Sequence, residues 1–132
     1  MFSWRVEKKE VIYDQLLEWW KKHDFPAIAV NALPSNLFVV SDKKQDLYVI
    51  PVYFTDSSLF WTGFITSNPN ADKREKQGAL DWLMEKVETA LKFSKPESTI
   101  ITTSGNPFLI KTMKERGYKE NIENVNYYIK NL

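Results

Sequence analysis

Cysteine is absent from the 132 residues, which rules out disulfides, thiolate metal sites and a cysteine nucleophile. Histidine occurs once, and no group of residues has the spacing of a metal site, so no metal is expected. Neither charge sign is in excess. Eighteen Lys and Arg face 17 Asp and Glu, and a formal charge of +1 gives no overall field to recruit nucleic acid or an anionic membrane. Long apolar runs are also missing. The longest, such as residues 47–54, fall far short of the roughly 20 residues that cross a bilayer. Residues 1–9 are aromatic and charged without an apolar core, unlike a secretory leader, and the expected compartment is the cytoplasm. No Ser/His/Asp arrangement, phosphate P-loop, internal repeat or low-complexity tract stands out.

What is present suits a folded domain. Hydrophobic residues make up 43% and charged residues 27% of the chain, ordinary globular values, and its length matches one domain spanning residues 1–132. Residues 2–6 alternate apolar and polar, as a strand half-buried on one face would. Ile12, Leu16 and Trp20 then recur at helical spacing, giving an amphipathic helix that stops before Phe25-Pro26. Trp19 and Trp20 are adjacent and point about 100° apart; core packing is the default, but both can be buried only if that helix is covered broadly, and otherwise one of them meets a partner, most simply a second copy of the chain. Residues 27–35 carry prolines on both flanks and read as an irregular or briefly helical connection.

Three strand-like runs follow at 37–41, 47–55 and 59–66, with links short enough to imply an antiparallel meander. Pro51 cannot donate to a ladder, so it should mark a bulge or an edge, and Gly63 allows a bulge or close approach in the third run. Asp72 and Glu75 form a capping pair ahead of a helix with the apolar stripe Leu80, Leu83, Val87 and Leu91. Residues 99–102 are a strand reached through that helix, hence parallel to the strand before it. Asn106-Pro107 starts a short helix that Gly117 ends, and residues 124–129 alternate as a final strand.

This order resembles that of the acyl-CoA N-acyltransferase (GNAT) superfamily over essentially the whole chain. Two local features add to the resemblance: Asn106, a short helix and Gly117-Tyr118; and Arg74-Glu-Lys-Gln-Gly-Ala79, where the family has Arg or Gln, two residues, Gly, one residue, then Gly or Ala. The narrower resemblance is to small N-acetyltransferase-like proteins of bacteriophages, carried by Leu33-Pro34, Thr55-Asp56-Ser57, Asn68-Pro69 and Gly117-Tyr118, and would place the chain in a host cytoplasm. The implied fold is a single α/β (α+β) domain with a mixed central sheet of about six strands flanked by three main helices.

The resemblance implies acetyl-CoA as cofactor and an amine, on a small molecule or a protein, as acceptor. The cofactor residues it implies are Phe64, Ile65 and Thr66 along the fourth strand, Arg74, Gln77, Gly78 and Ala79 at the pyrophosphate, and Asn106. Gln77 departs from the pattern, since a side chain at the first glycine position obstructs close backbone approach to a pyrophosphate. The tyrosine that often protonates the departing thiolate, seven residues after the asparagine, is replaced by Met113. A thioether cannot donate a proton, so Met113 reads as core, and Ser104 or Thr103 at the end of the parallel strand remain as candidate acids. His23, at a helix end, reads as structural. The competing expectation is a noncatalytic binding or structural module on the same fold.

Overall fold

The computed structural model describes residues 1–104, 106–120 and 130. The final strand expected at 124–129 lies outside the described residues. Strand β1 (Ser3–Lys8) leads directly into helix α1 (Lys9–Lys22), and a 3-10 turn at Val30–Ala32 interrupts the connection to β2 (Asn36–Ser41). Then come β3 (Asp46–Phe54), β4 (Leu59–Thr62), β5 (Thr66–Ser67), the one-turn helix α2 (Lys73–Lys76), α3 (Ala79–Ser94), β6 (Thr99–Thr102) and α4 (Pro107–Glu115). The sheet runs β1-β2-β3-β4-β6, with β5 pairing β3 beyond the end of β4. All described pairs are antiparallel except β4 with β6, the strands joined through α3. This is the mixed six-stranded sheet with three long helices that the sequence led us to expect.

The central strands are apolar throughout because both faces are covered. On β2, Phe38 and Val40 face α3 and α4, joining Ile50, Val52, Phe60, Leu83, Val87, Leu109 and Met113. Leu37 and Val39 face α1 and join Ile12, Leu16, Trp19, Trp20 and Val49. Both Trp19 and Trp20 are buried, at 3% and 2% exposure. Both therefore pack in the core because the helix is covered broadly: the sheet covers one side of α1 and the segment around Leu33 and Ile28 covers the other.

Strand β1 also differs from its reading. It is an edge strand, and its apolar residues Trp4 and Val6 remain 41% and 48% exposed, while Trp4 stacks on Phe38 at 5.9 Å. The opposite face holds a polar cluster. Arg5 grips both carboxylate oxygens of Asp46 at 2.9 and 3.0 Å, and Ser41 and Gln15 donate to the same carboxylate. Burial alone would raise the Asp46 carboxyl, but these hydrogen bonds outweigh it and hold it below the usual carboxylate range.

The expected capping pair forms, with Glu75 N–H donating to Asp72 and Asp72 N–H to Glu75, yet it caps α2 and not the long helix. Gln77 ends α2 in an extended conformation. Gly78 then takes a left-handed φ of 77° and starts α3 afresh, which a residue with a Cβ adopts only at a cost. At the other end of the α3 face, Gly117 (φ 90°) terminates α4 as expected and turns the chain back. Arg116 donates to both oxygens of Glu88 at 3.0 and 2.7 Å and to Asp81 at 2.8 Å, and Tyr118 donates to Glu88 at 2.9 Å, fastening α4 to α3. No helix among the described residues is long and apolar enough to cross a membrane.

Candidate functional site

The site arises from a miscount between two strands. Thr62 of β4 pairs Val52 of β3, and Thr66 of β5 pairs Val49. Four steps along one chain therefore face three along the other, and one extra residue must be accommodated between Gly63 and Ile65. Phe64 absorbs it with a φ of 59°, an uncommon conformation for a bulky side chain. Pro51 lies on β3 opposite this interruption, where the sequence placed a bulge or an edge. The third expected run, 59–66, is thus two strands with a bulge between them. Thr66 locks the bulge: its hydroxyl donates to the Phe64 carbonyl at 2.8 Å and accepts from the Trp20 indole at 3.0 Å, tying it to α1.

Below the bulge β4 and β6 are held tightly. Their register runs from Leu59 opposite Thr99 to Thr62 opposite Thr102, where the two threonine hydroxyls meet at 2.6 Å. The Trp61 indole N–H reaches Thr103 at 3.2 Å. The Trp61 ring lies over Gly63: a Cβ built there would sit 2.3 Å from Cζ2 and 2.6 Å from Cη2 of the indole. Only glycine admits this pin.

Above the bulge the two strands part. Two adjoining cavities fill the gap, of about 320 and 410 Å³, and share Phe25, Ile65, Ser104 and Leu109. The first opens toward α1 and the segment after it, with Trp20, Pro26, Ala27, Ile28, Phe64, Thr66 and Thr103 in its walls. The second opens toward α4 and the far face of β3, reaching His23, Tyr48, Ser67, Asn106 and Phe108. No Asp or Glu among the described residues lines either one.

Of the residues singled out in the sequence, Phe64, Ile65, Thr66, Ser104 and Asn106 come together around this gap. Arg74, Gln77, Gly78 and Ala79 line neither cavity and form the approach to α3, where Arg74, Gln77 and Gly78 are exposed and Ala79 is buried. Gly78 supplies no side-chain cap, so the first-turn N–H groups of α3 are not satisfied by their own helix. Asn106 caps α4, accepting from Phe108 and Leu109 N–H at 2.9 and 3.4 Å, while Ser104 accepts from Asn106 N–H at 3.0 Å and, among the described residues, donates to none. Thr103 accepts the Trp61 indole. Met113 is 6% exposed within the α3-face core and lines neither cavity, as its core reading required.

Three wall residues were not legible as such. Tyr48 is 6% exposed, and its sequence setting is an apolar strand with no mark of a site. Burial raises its hydroxyl's pKa, so the phenol stays protonated beside the second cavity. His23 ends α1, stacks on Phe25 with centroids 5.0 Å apart, and places Nε2 2.8 Å from the Ser67 carbonyl. That contact fixes the proton on Nε2. Phe25 follows Asp24, whose φ of 58° turns the chain out of the helix and toward the gap. Proline after Phe25 was the only local sign of this turn.

No protein-family model matches the sequence, and no curated protein does. Solved structures do match the fold. An aminoglycoside acetyltransferase from an uncultured soil metagenomic sample, crystallised with sisomicin, superposes with a TM-score of 0.71 at 10% identity, covering 98% of this chain and 97% of that one. The ribosomal-protein-S18-alanine N-acetyltransferase of Escherichia coli gives 0.73 at 14% identity over 97% and 84%. Aminoglycoside N-acetyltransferase AAC(6')-Iy in complex with CoA gives 0.66 at 17% identity over 100% and 96%. The fold of this chain is that of the GNAT acetyltransferases.

Proposed function

We propose that the chain is an N-acetyltransferase of the GNAT superfamily, taking an acetyl group from acetyl-CoA to an amine. The observation that carries this reading is the bulge at Gly63–Ile65, which parts β4 from β6 and opens a gap through the sheet at the strand ends. Ligands of open α/β sheets lie in such crevices, and a neighbour of this fold was crystallised with CoA. The residues present fit the cofactor. The uncapped first turn of α3, with Arg74 exposed just before it, suits a pyrophosphate, and backbone groups released by the bulge suit an amide-bearing arm.

Acetyl-CoA supplies the thioester. The protein's part is to hold it in the gap, present a backbone N–H at the bulge to the thioester oxygen, and protonate the sulfur as it leaves. Met113 cannot do the last. Two hydroxyls line the second cavity, Ser104, which donates to no described residue, and Tyr48, kept protonated by burial, and either can donate.

Calorimetric titration with acetyl-CoA and CoA tests the reading, alongside Arg74→Ala and Gln77→Gly. Micromolar affinity weakened at least tenfold by Arg74→Ala is the expected result. The second reading, a noncatalytic module of a bacteriophage, is favoured by Gln77 at the first glycine position and by Met113 in place of tyrosine. It prevails if neither wild type nor Gln77→Gly shows binding at millimolar ligand. Binding gained only by Gln77→Gly would mean that this loop has lost the cofactor.

A further inference from the structure

The two cavities adjoin different faces of the sheet, since Trp20 and Ile28 of the α1-side core line only the first and Tyr48 of the α3-side core only the second, and that assigns them. The second thus lies on the side of α3, so a cofactor anchored at the start of α3 enters there. The first cavity, bounded by the segment after α1, is left for the acceptor. Its walls are Trp20, Phe25, Ile28 and Phe64, with the hydroxyls of Thr103 and Ser104 as polar points. Phe25 and Phe64 stand at its rim, 51% and 43% exposed.

We infer that the acceptor is a small aromatic monoamine, favoured over polycationic amino sugars. This rests on the acetyltransferase reading and concerns the acceptor side alone. A polycation entering the cavity would shed water from several ammonium groups with no carboxylate among the described lining residues to receive them, and charges left unpaired in an apolar wall are costly. A monoamine carries one such group, and it must be neutral to react in any case. An apolar wall favours that neutral form by penalising the ammonium. The aromatic rim supplies ring faces for an aromatic body at low entropic cost. A cavity of about 320 Å³ lies at the small end of ligand sites, room for one or two fused rings and a short amine arm. In the reaction the amine lone pair attacks the thioester carbon, a C–N bond forms and the C–S bond breaks. The thiolate takes up one proton and the amine nitrogen gives up one, leaving an amide and a free thiol.

The absence of cysteine makes the assay clean, because a thiol reagent in the reaction reads only released CoA. Turnover with acetyl-CoA is measured for tryptamine, benzylamine and sisomicin, and binding of each amine is measured separately by calorimetry. The expected result is kcat/KM at least tenfold higher for the aromatic amines than for sisomicin, with the same order in binding. Ala27→Glu, at an exposed position in the cavity wall, should narrow that preference at least fivefold by supplying a carboxylate. Sisomicin bound or acetylated as well as tryptamine, or no binding of either aromatic amine, overturns the inference. Aromatic amines bound in preference to sisomicin, but never acetylated, would support the acceptor class while refuting the acetyltransferase reading.

Discussion

Replacing Gly63 by alanine tests how the gap is built. Elsewhere such a change stabilises by about 0.4–1 kcal/mol, because the unfolded chain loses freedom. Gly63 is buried, and here the new Cβ would meet three indole carbons of Trp61 at 2.3, 2.6 and 2.7 Å, so the ring must leave. In leaving it forfeits the hydrogen bond to Thr103, about 1 kcal/mol net. It also disturbs packing against Tyr53 and Phe64, whose centroids lie 4.6 and 5.6 Å away, at about 0.5–1.5 kcal/mol per aromatic pair. The expected loss is about 2–4 kcal/mol, which for a chain of this length lowers Tm by roughly 7–14 °C. Scanning calorimetry of Gly63→Ala gives the number. Repeating it in a Trp61→Leu background, where the collision is gone, should reduce the cost to below about 1 kcal/mol. A Gly63→Ala protein as stable as wild type would refute the claim that Trp61 pins β4 to β6 across this glycine.

Two further outcomes follow from the polar clusters. Arg116→Ala removes the clasp between α4 and α3 and leaves Glu88 and Asp81 without their cation. Urea unfolding should show a loss of about 1–3 kcal/mol with an unchanged m-value. Asp46 has a depressed carboxyl pKa in the folded state, so its contribution to stability is present above the unfolded value of about 4 and is lost as pH falls through the folded one. Tm measured downward from pH 5 should therefore fall less steeply in Asp46→Asn than in wild type, and an unchanged slope would show that the Arg5–Asp46 pair carries none of the acid sensitivity.

Much of the scaffold was legible because its signals are local. The i, i+4 spacing of Ile12, Leu16 and Trp20 located α1, and the Asn106-Pro107 and Gly117 pair located α4 within a residue or two. The capping pair at Asp72 and Glu75 misled for the same reason. A capping box looks alike before one turn or four, and only the left-handed Gly78 separates the two helices. The bulge was hinted at by Gly63 and Pro51, but its existence depends on a mismatch of registers that neither strand records alone. The gap is harder still. Its walls come from within residues 20–28, 48, 64–67, 103–104 and 106–109, and no pattern within any of these segments announces that they meet. Both tryptophans of α1 are buried because coverage is set by the sheet and by Leu33, which the helix's own sequence does not record.

Both halves of the interrupted strand hang from β3, which holds β4 through Val52–Phe54 and β5 through Tyr48 and Val49. The parts that set the width of the opening, Val52, Phe60 and Thr62, are buried, whereas Phe25, Phe64 and Phe108 on its lips are half exposed. An evolutionary lineage can therefore exchange the lips one residue at a time without disturbing what holds the opening apart. Such a molecule inherits its aperture and adapts its taste.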